Sequence, residues 1–171
     1  MKLSIKAAAV ALAVTFTALA PTAVYAIPTP TAMKLFCQGN PDECRPGGAS
    51  RVRVSDALVK TLQTVNSRVN KSIRYQAERA DIWKLNPRAG DCEDYVLSKR
   101  SALIQAGVPG GALRIAFTYT RRGVPHAVLI VRTNQGDLVL DNMNNSVLTL
   151  AQSGYNIRMM SGSDPMRWTA G

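Results

Sequence analysis

The chain has 171 residues and carries 21 lysines and arginines against 11 aspartates and glutamates, a formal net charge of +10 at pH 7. Its length fits one modest domain around one hydrophobic core. The basic residues are scattered and form no stripe with interleaved aromatic side chains, so the composition argues against nucleic-acid binding, while weak attraction to an acidic partner or an anionic membrane surface stays open.

The first 26 residues have the pattern of a secretory signal peptide. Lys2 and Lys6 precede an apolar run from Ala7 to Ala20, and mainly small residues follow up to Ala26. The run is shorter than the ~20 residues that a transmembrane helix needs. We predict cleavage after Ala26, one mature domain over residues 27–171, and a periplasmic or secreted location. An uncleaved membrane anchor is the alternative.

The segment 27–52 holds two cysteines among prolines and glycines, which predict an irregular lead without long regular elements. Cys37 and Cys44 flank a turn-forming Gly-Asn-Pro sequence. Because disulfides persist after export, we predict a Cys37–Cys44 bond, which contributes about 2–3 kcal/mol in the chain-entropy model. Cys92 is then left alone, as a reactive thiol or as an intermolecular bridge.

Two helices follow in the predicted order. Ser55 caps a helix over residues 55–72, whose apolar residues recur every three or four positions. Residues 73–90 are ambiguous and end in a turn. Asp91 is a suitable N-cap for a second helix, which contains Cys92 in its first turn and ends at Gly107.

The pattern then changes to strands. Residues 113–119 alternate between apolar and other side chains, which predicts a strand with one covered face. Residues 126–131 form a near-continuous apolar strand buried on both faces, and residues 138–141 form the next one. Shorter strands are predicted at 146–150 and 155–160. We therefore predict an α+β fold in which the Cys92 helix packs on an antiparallel sheet of about four to six strands.

Three residues in this order suggest a catalytic site. Cys92 lies where a helix N-terminus lowers the pKa of a thiol. His126 is the only histidine, and a hairpin turn near residues 133–136 makes Asp141 its diagonal cross-strand neighbour. Together they predict a nucleophile, its general base and the residue that orients the base. Taken singly, each has a structural alternative: an inert buried thiol, a core histidine and a turn-forming aspartate.

The sequence around these residues resembles the bacterial transglutaminase-like cysteine proteinases. The resemblance lies in the nucleophile motif at 90–95, continued by Lys99, Arg100 and Leu103, the histidine motif at 125–129 and the aspartate motif at 138–142. It implies a papain/transglutaminase-like core and peptide-bond hydrolysis by a Cys-His-Asp triad.

The same resemblance implies a cofactor and partners. Asp91 and Glu93 match acids that bind calcium in a periplasmic member of the family, with Asp94 as a further candidate ligand. Two carboxylates are far short of the six to eight oxygens that calcium takes, and helix capping is the alternative role for these acids. Surface adhesins are the implied substrates, and an inner-membrane regulator is the implied protein partner.

Trp83 is a candidate oxyanion donor through its indole N–H, together with the backbone N–H of Cys92; a core position is the alternative. Two other functions are alternatives to peptide hydrolysis. The same triad supports transglutaminase or deamidase chemistry through the same thioester, and a domain with an unreactive Cys92 would be a non-catalytic binding protein in the periplasm.

Overall fold

A computed structural model describes residues 26–78 and 80–171 of the chain. The predicted signal peptide therefore lies outside the described residues, except for Ala26. Within the described ranges, no helix combines the length and the apolar character needed to cross a membrane.

A seven-stranded antiparallel sheet forms the centre of the fold. The described part of the chain has nine strands, and seven of them form this sheet. The nine strands are β1 (Ala26–Ile27), β2 (Arg74–Tyr75), β3 (Ala89–Gly90), β4 (Leu113–Tyr119), β5 (Pro125–Val131), β6 (Leu138–Asp141), β7 (Asn144–Thr149), β8 (Met159–Ser161) and β9 (Trp168–Ala170). The order across the large sheet is β1-β9-β8-β4-β5-β6-β7, and β2 and β3 form a separate parallel pair. The sheet has more strands than predicted, because β1 and β9 are too short to show an alternating pattern in the sequence.

Four helices accompany the sheet: α1 (Thr31–Gly39), α2 (Asp56–Ser72), α3 (Cys92–Gln105) and α4 (Leu150–Ser153). Helix α2 begins as predicted, with the Ser55 hydroxyl accepting a hydrogen bond from the Leu58 N–H at 3.2 Å. Its apolar residues Leu62, Val65 and Val69 are buried. The mixture of helices with an antiparallel sheet confirms the predicted α+β class.

Helix α1 corrects the predicted irregular lead. The prolines of this segment stand before the helix and after it, and the nine residues between them contain none, so a helix can form there. Burial of Met33 and Phe36 in the main core stabilises it. Cys37, near its end, is bonded to Cys44, with the two Cα atoms 5.6 Å apart.

Helix α3 is the central helix and packs on the sheet against β5. Its residues from Asp94 to Ser101 are all buried, although many of them are polar, because α2, the sheet and the disulfide loop surround the helix. Arg100 donates to the backbone carbonyl of Glu43, and the Ser101 hydroxyl donates to its carboxylate at 2.6 Å. The disulfide loop is thus fastened to the helix that carries Cys92.

The far face of the sheet is also covered, which corrects the prediction of one covered face for β4. Ala116, Val128, Ile130 and Val139 form a second apolar cluster beneath residues 150–160. The chain reaches this position because α4 ends at Gly154, which adopts a left-handed conformation with φ of 69°. The strand predicted at 155–160 is for this reason confined to β8, and residues 154–158 form a covering segment.

Candidate active site

Cys92 is the first residue of α3 and lies in a cavity above the sheet. The chain turns tightly before it: a Cβ atom at Gly90 would stand 1.9 Å from a carboxylate oxygen of Asp94, so only glycine fits there. Asp94 in turn accepts a hydrogen bond from the Lys84 N–H at 2.7 Å. Because Cys92 begins the helix, its own backbone N–H has no partner within the helix.

The surroundings of the thiol differ from the prediction. The Cys92 S–H donates to the Glu93 carboxylate at 3.0 Å. Burial raises the pKa of Cys92, and the negative charges of Glu93 and Asp91 raise it further, while the Ala127 N–H opposes the shift. This direction is opposite to the lowering expected from the helix N-terminus, because burial and the two neighbouring carboxylates favour the protonated thiol.

His126 and Asp141 form a buried pair. His126 lies at the start of β5 and Asp141 at the end of β6, and the register Leu129↔Leu140 places the two side chains diagonally across the strands. Nε2 of His126 lies 2.9 Å from Oδ1 of Asp141, and both side chains are less than a tenth exposed. Asp141 can only accept when it is ionised, so Nε2 carries the proton and Nδ1 is left as an acceptor.

Asp141 has further hydrogen-bond partners that the sequence did not indicate. The Tyr155 hydroxyl donates to Oδ2 at 2.6 Å, and the Met143 N–H donates to Oδ1 at 2.9 Å. Burial alone would raise the pKa of Asp141, but the hydrogen bonds from His126, Tyr155 and Met143 outweigh burial and lower it. The Tyr155 ring also packs beside the imidazole, with ring centroids 5.8 Å apart. No periodic signal marks Tyr155, because it follows a turn in an irregular segment.

The cavity has a volume of about 1080 Å³ and brings together Cys92, His126, Asp141 and Tyr155. Cys92 lies next to the Ala127 N–H, one residue along the chain from His126. Within the described ranges no hydrogen bond joins the Cys92 sulfur to the imidazole, because the S–H is directed to Glu93. The arrangement holds a thiol, an imidazole with an open nitrogen and a carboxylate in one solvent-reachable space.

Trp83 lies in the hydrophobic core, which was the structural alternative to a role as an oxyanion donor. Its indole N–H donates to Asp81 at 2.7 Å, and its ring packs against Phe117 in the core with centroids 6.0 Å apart. The side chain is 7% exposed and does not line the cavity. In this structure the indole N–H is therefore directed to Asp81 and not into the cavity.

Asp91 and Glu93 fit calcium in the type of donor that they offer. Asp91 occupies the N-cap position, but its side chain makes no capping bond, which corrects that part of the prediction. Burial raises the pKa of Asp91 to about 7, and the nearby charges of Glu93 and Asp94 add to the shift. A cation would relieve this repulsion. Among residues 26–78 and 80–171, however, no three acidic, histidine or cysteine side chains converge into a ready metal site, so most of the ligands would have to be backbone carbonyls or water.

The family profile of the bacterial transglutaminase-like cysteine proteinases (BTLCP) matches residues 24–170. The chain belongs to this family. No curated protein sequence gives a match.

Two solved structures are similar to this chain in fold. Calcium-bound Legionella pneumophila LapG is 25% identical, with a TM-score of 0.56 over 60% of this chain and 64% of that chain. EGTA-treated Legionella pneumophila LapG is also 25% identical, with a TM-score of 0.58 over 67% of this chain and 68% of that one. The chain thus spans about two thirds of the length of these relatives. The structural similarity confirms the predicted transglutaminase-like fold.

Proposed function

We propose that this BTLCP protein is an exported cysteine peptidase that hydrolyses peptide bonds of a protein substrate, with Cys92 as nucleophile, His126 as general base and Asp141 as the orienting residue. The observation that carries the proposal is the position of Cys92 in the same cavity as the buried His126–Asp141 pair. Membership of a cysteine proteinase family supports the reaction type.

The proposed reaction starts at the open nitrogen of the imidazole. Nδ1 of His126 takes the proton of Cys92, and Asp141 stabilises the resulting imidazolium through the Nε2–H. The thiolate bonds to the substrate carbonyl carbon as the C=O electron pair moves onto oxygen, near the backbone N–H of Cys92, which has no partner within the helix. The C–N bond then breaks, and His126 gives its proton to the leaving amine. Water, deprotonated by His126, hydrolyses the thioester and releases the thiol.

The proposal includes a calcium ion, with Asp91 and Glu93 as its carboxylate ligands. When bound, it would offset the negative charge that these carboxylates place beside the thiol. Support comes from their mutual repulsion in this structure and from the existence of a calcium-bound structure of a similar protein. In the other acid of the motif, Asp94, Oδ1 accepts the hydrogen bond from the Lys84 N–H.

The proposed location and substrate have separate grounds. The basic, apolar and small-residue pattern of the first 26 residues and the Cys37–Cys44 disulfide both favour the periplasm or the outside of the cell. A protein substrate in that compartment, such as a surface adhesin, and an inner-membrane regulator are the partners carried over from the family resemblance.

The test incubates the purified protein with a mixture of peptides from a digested proteome, with calcium or with EGTA, and detects new amino termini by mass spectrometry. We expect new termini with the wild type and none with Cys92→Ala or His126→Ala. Release of ammonia from glutamine peptides without new termini would instead establish acyl transfer. A wild-type protein that does neither, and whose Cys92 reacts with iodoacetamide at the same rate with and without His126, would refute the catalytic proposal.

A further inference from the structure

Three arginines line the cavity that contains Cys92 and His126. Arg121 and Arg122 lie in the turn between β4 and β5, and Arg158 lies just before β8. All three side chains are exposed. None of them takes part in an ion pair found within residues 26–78 and 80–171. Their charges are therefore available to a ligand in the cavity.

The cavity itself offers these arginines little to pair with. Asp141 is the only carboxylate among the lining residues of the described part of the chain, and its two oxygens already accept hydrogen bonds from His126 and Tyr155. Burial and Asp141 raise the pKa of Tyr155, while Arg121 opposes the shift, so the Arg121 charge stands near the phenol. The cavity thus has a positive side next to the proposed catalytic residues.

The same cavity has an apolar rim. Tyr75, Tyr119, Val124 and Met143 line it, and each of them is between 52% and 64% exposed. Exposed apolar side chains gathered around one cleft mark a surface that binds a partner. Tyrosine, methionine and arginine are enriched where proteins bind polypeptides, so the rim and the three arginines together describe a polypeptide-binding cleft.

We infer that the cleft selects an acidic stretch of polypeptide, with aspartate or glutamate side chains against Arg121, Arg122 and Arg158 and apolar side chains against the rim. This inference rests on the proposed peptidase function for its biological meaning. The binding it predicts is independent of turnover, because it depends on the cleft and not on the thiol. Complementary charge would also speed the encounter with such a substrate.

The binding test uses Cys92→Ala, which cannot consume the probe. The probes are fluorescein-labelled peptides with one apolar framework that carry a pair of glutamates, glutamines or lysines at the same positions. Each exposed ion pair changes affinity by roughly two- to fivefold, so we expect the glutamate peptide to bind about tenfold more tightly than the glutamine peptide. Added salt should reduce this ratio.

Matched variants assign the preference to the cleft. In the first, Arg121, Arg122 and Arg158 are changed to glutamine; in the second, Arg53, Lys60 and Arg68, which are exposed elsewhere, are changed in the same way. We expect the first variant to lose the glutamate preference and the second, which has the same net charge, to keep it. Unfolding curves of both variants verify that they are folded.

The outcomes separate this inference from the proposed function. A glutamate preference that disappears only in the cleft variant supports the inference even if no peptide is cleaved. Equal binding of the glutamate and glutamine peptides, or equal loss of preference in both variants, overturns it. Cleavage that depends on Cys92 but shows no enrichment of acidic residues around the cleaved bonds would overturn the inference and leave the peptidase function intact.

Discussion

Lys99 is a buried lysine whose amino group has no hydrogen-bond partner in the described part of the chain. Its side chain is 0% exposed and its Nζ bonds to no other group of the described chain; the Tyr95 ring lies 5.9 Å away. Burial lowers the pKa of Lys99 from 10.5 to about 7, and the negative charge of Asp141 opposes the shift. We predict that Lys99→Met, which keeps the length of the side chain without its charge, stabilises the protein.

The sign and size of the expected change in the free energy of unfolding follow from proton linkage. Between the folded and unfolded pKa values, the unfolded chain binds more protons at Lys99, so the free energy of unfolding rises with pH in that interval. With one pKa unit worth about 1.4 kcal/mol, the lysine costs roughly 4 kcal/mol at about pH 7 and roughly 2 kcal/mol at about pH 9. The advantage of Lys99→Met should therefore shrink by about 2 kcal/mol over this range.

The assay is urea unfolding of both proteins at the two pH values. Cys92 and Tyr95 also have raised pKa values, but the wild type and the variant share them, so the difference between the two proteins isolates Lys99. Lys60→Met, at an exposed position on α2, is the control and should show no such pH-dependent difference. If the stability difference for Lys99→Met stayed constant with pH, or if the variant were less stable at both values, the reasoning about this buried lysine would be refuted.

Three further predictions concern the candidate active site. Cys92→Ala should abolish peptide hydrolysis and change the free energy of unfolding by less than about 1 kcal/mol in urea titrations, since it removes one small, partly exposed group. Tyr155→Phe keeps the ring beside His126 but removes a hydrogen bond to a carboxylate worth about 1.5–3 kcal/mol, part of which water replaces. We expect kcat/KM to fall by about tenfold, and the acid limb of the pH–rate profile to move to higher pH, because the pKa of Asp141 rises; an unchanged profile would contradict this role. Calcium should raise the melting temperature of the wild type but not that of a variant with Asp91→Asn and Glu93→Gln, as measured by scanning calorimetry; equal shifts would exclude these acids as ligands.

The sequence was sufficient to place the elements that carry the site. Period-two alternation located β4, an apolar run located β5, and the turn between β5 and β6 set the register that brings Asp141 beside His126. These features depend on local patterns, and each pattern is read within ten or so residues. The structure accordingly brings the three residues into one cavity in the predicted order.

What the sequence could not show depends on contacts between distant segments. Tyr155 reaches Asp141 only because Gly154 turns the chain back over the sheet. Lys99 resembles an ordinary surface lysine in the sequence, and its burial follows from the packing of other elements on both sides of α3. The raised pKa of Cys92 likewise depends on where the Glu93 side chain points, which a helical pattern leaves undetermined.

Asp141 is the point at which the separate elements of the fold meet. The Asn70 amide of α2 donates to its backbone carbonyl at 2.9 Å, while its carboxylate accepts from His126 of β5 and from Tyr155 of the covering segment. Lys99 of α3 adds a positive charge close by when it is protonated. Groups that orient a catalytic base work best when packing fixes their positions. Changes to Asn70 or Lys99, which do not line the cavity, should therefore affect kcat more than KM, because they alter the orientation of the imidazole and leave the cleft surface unchanged.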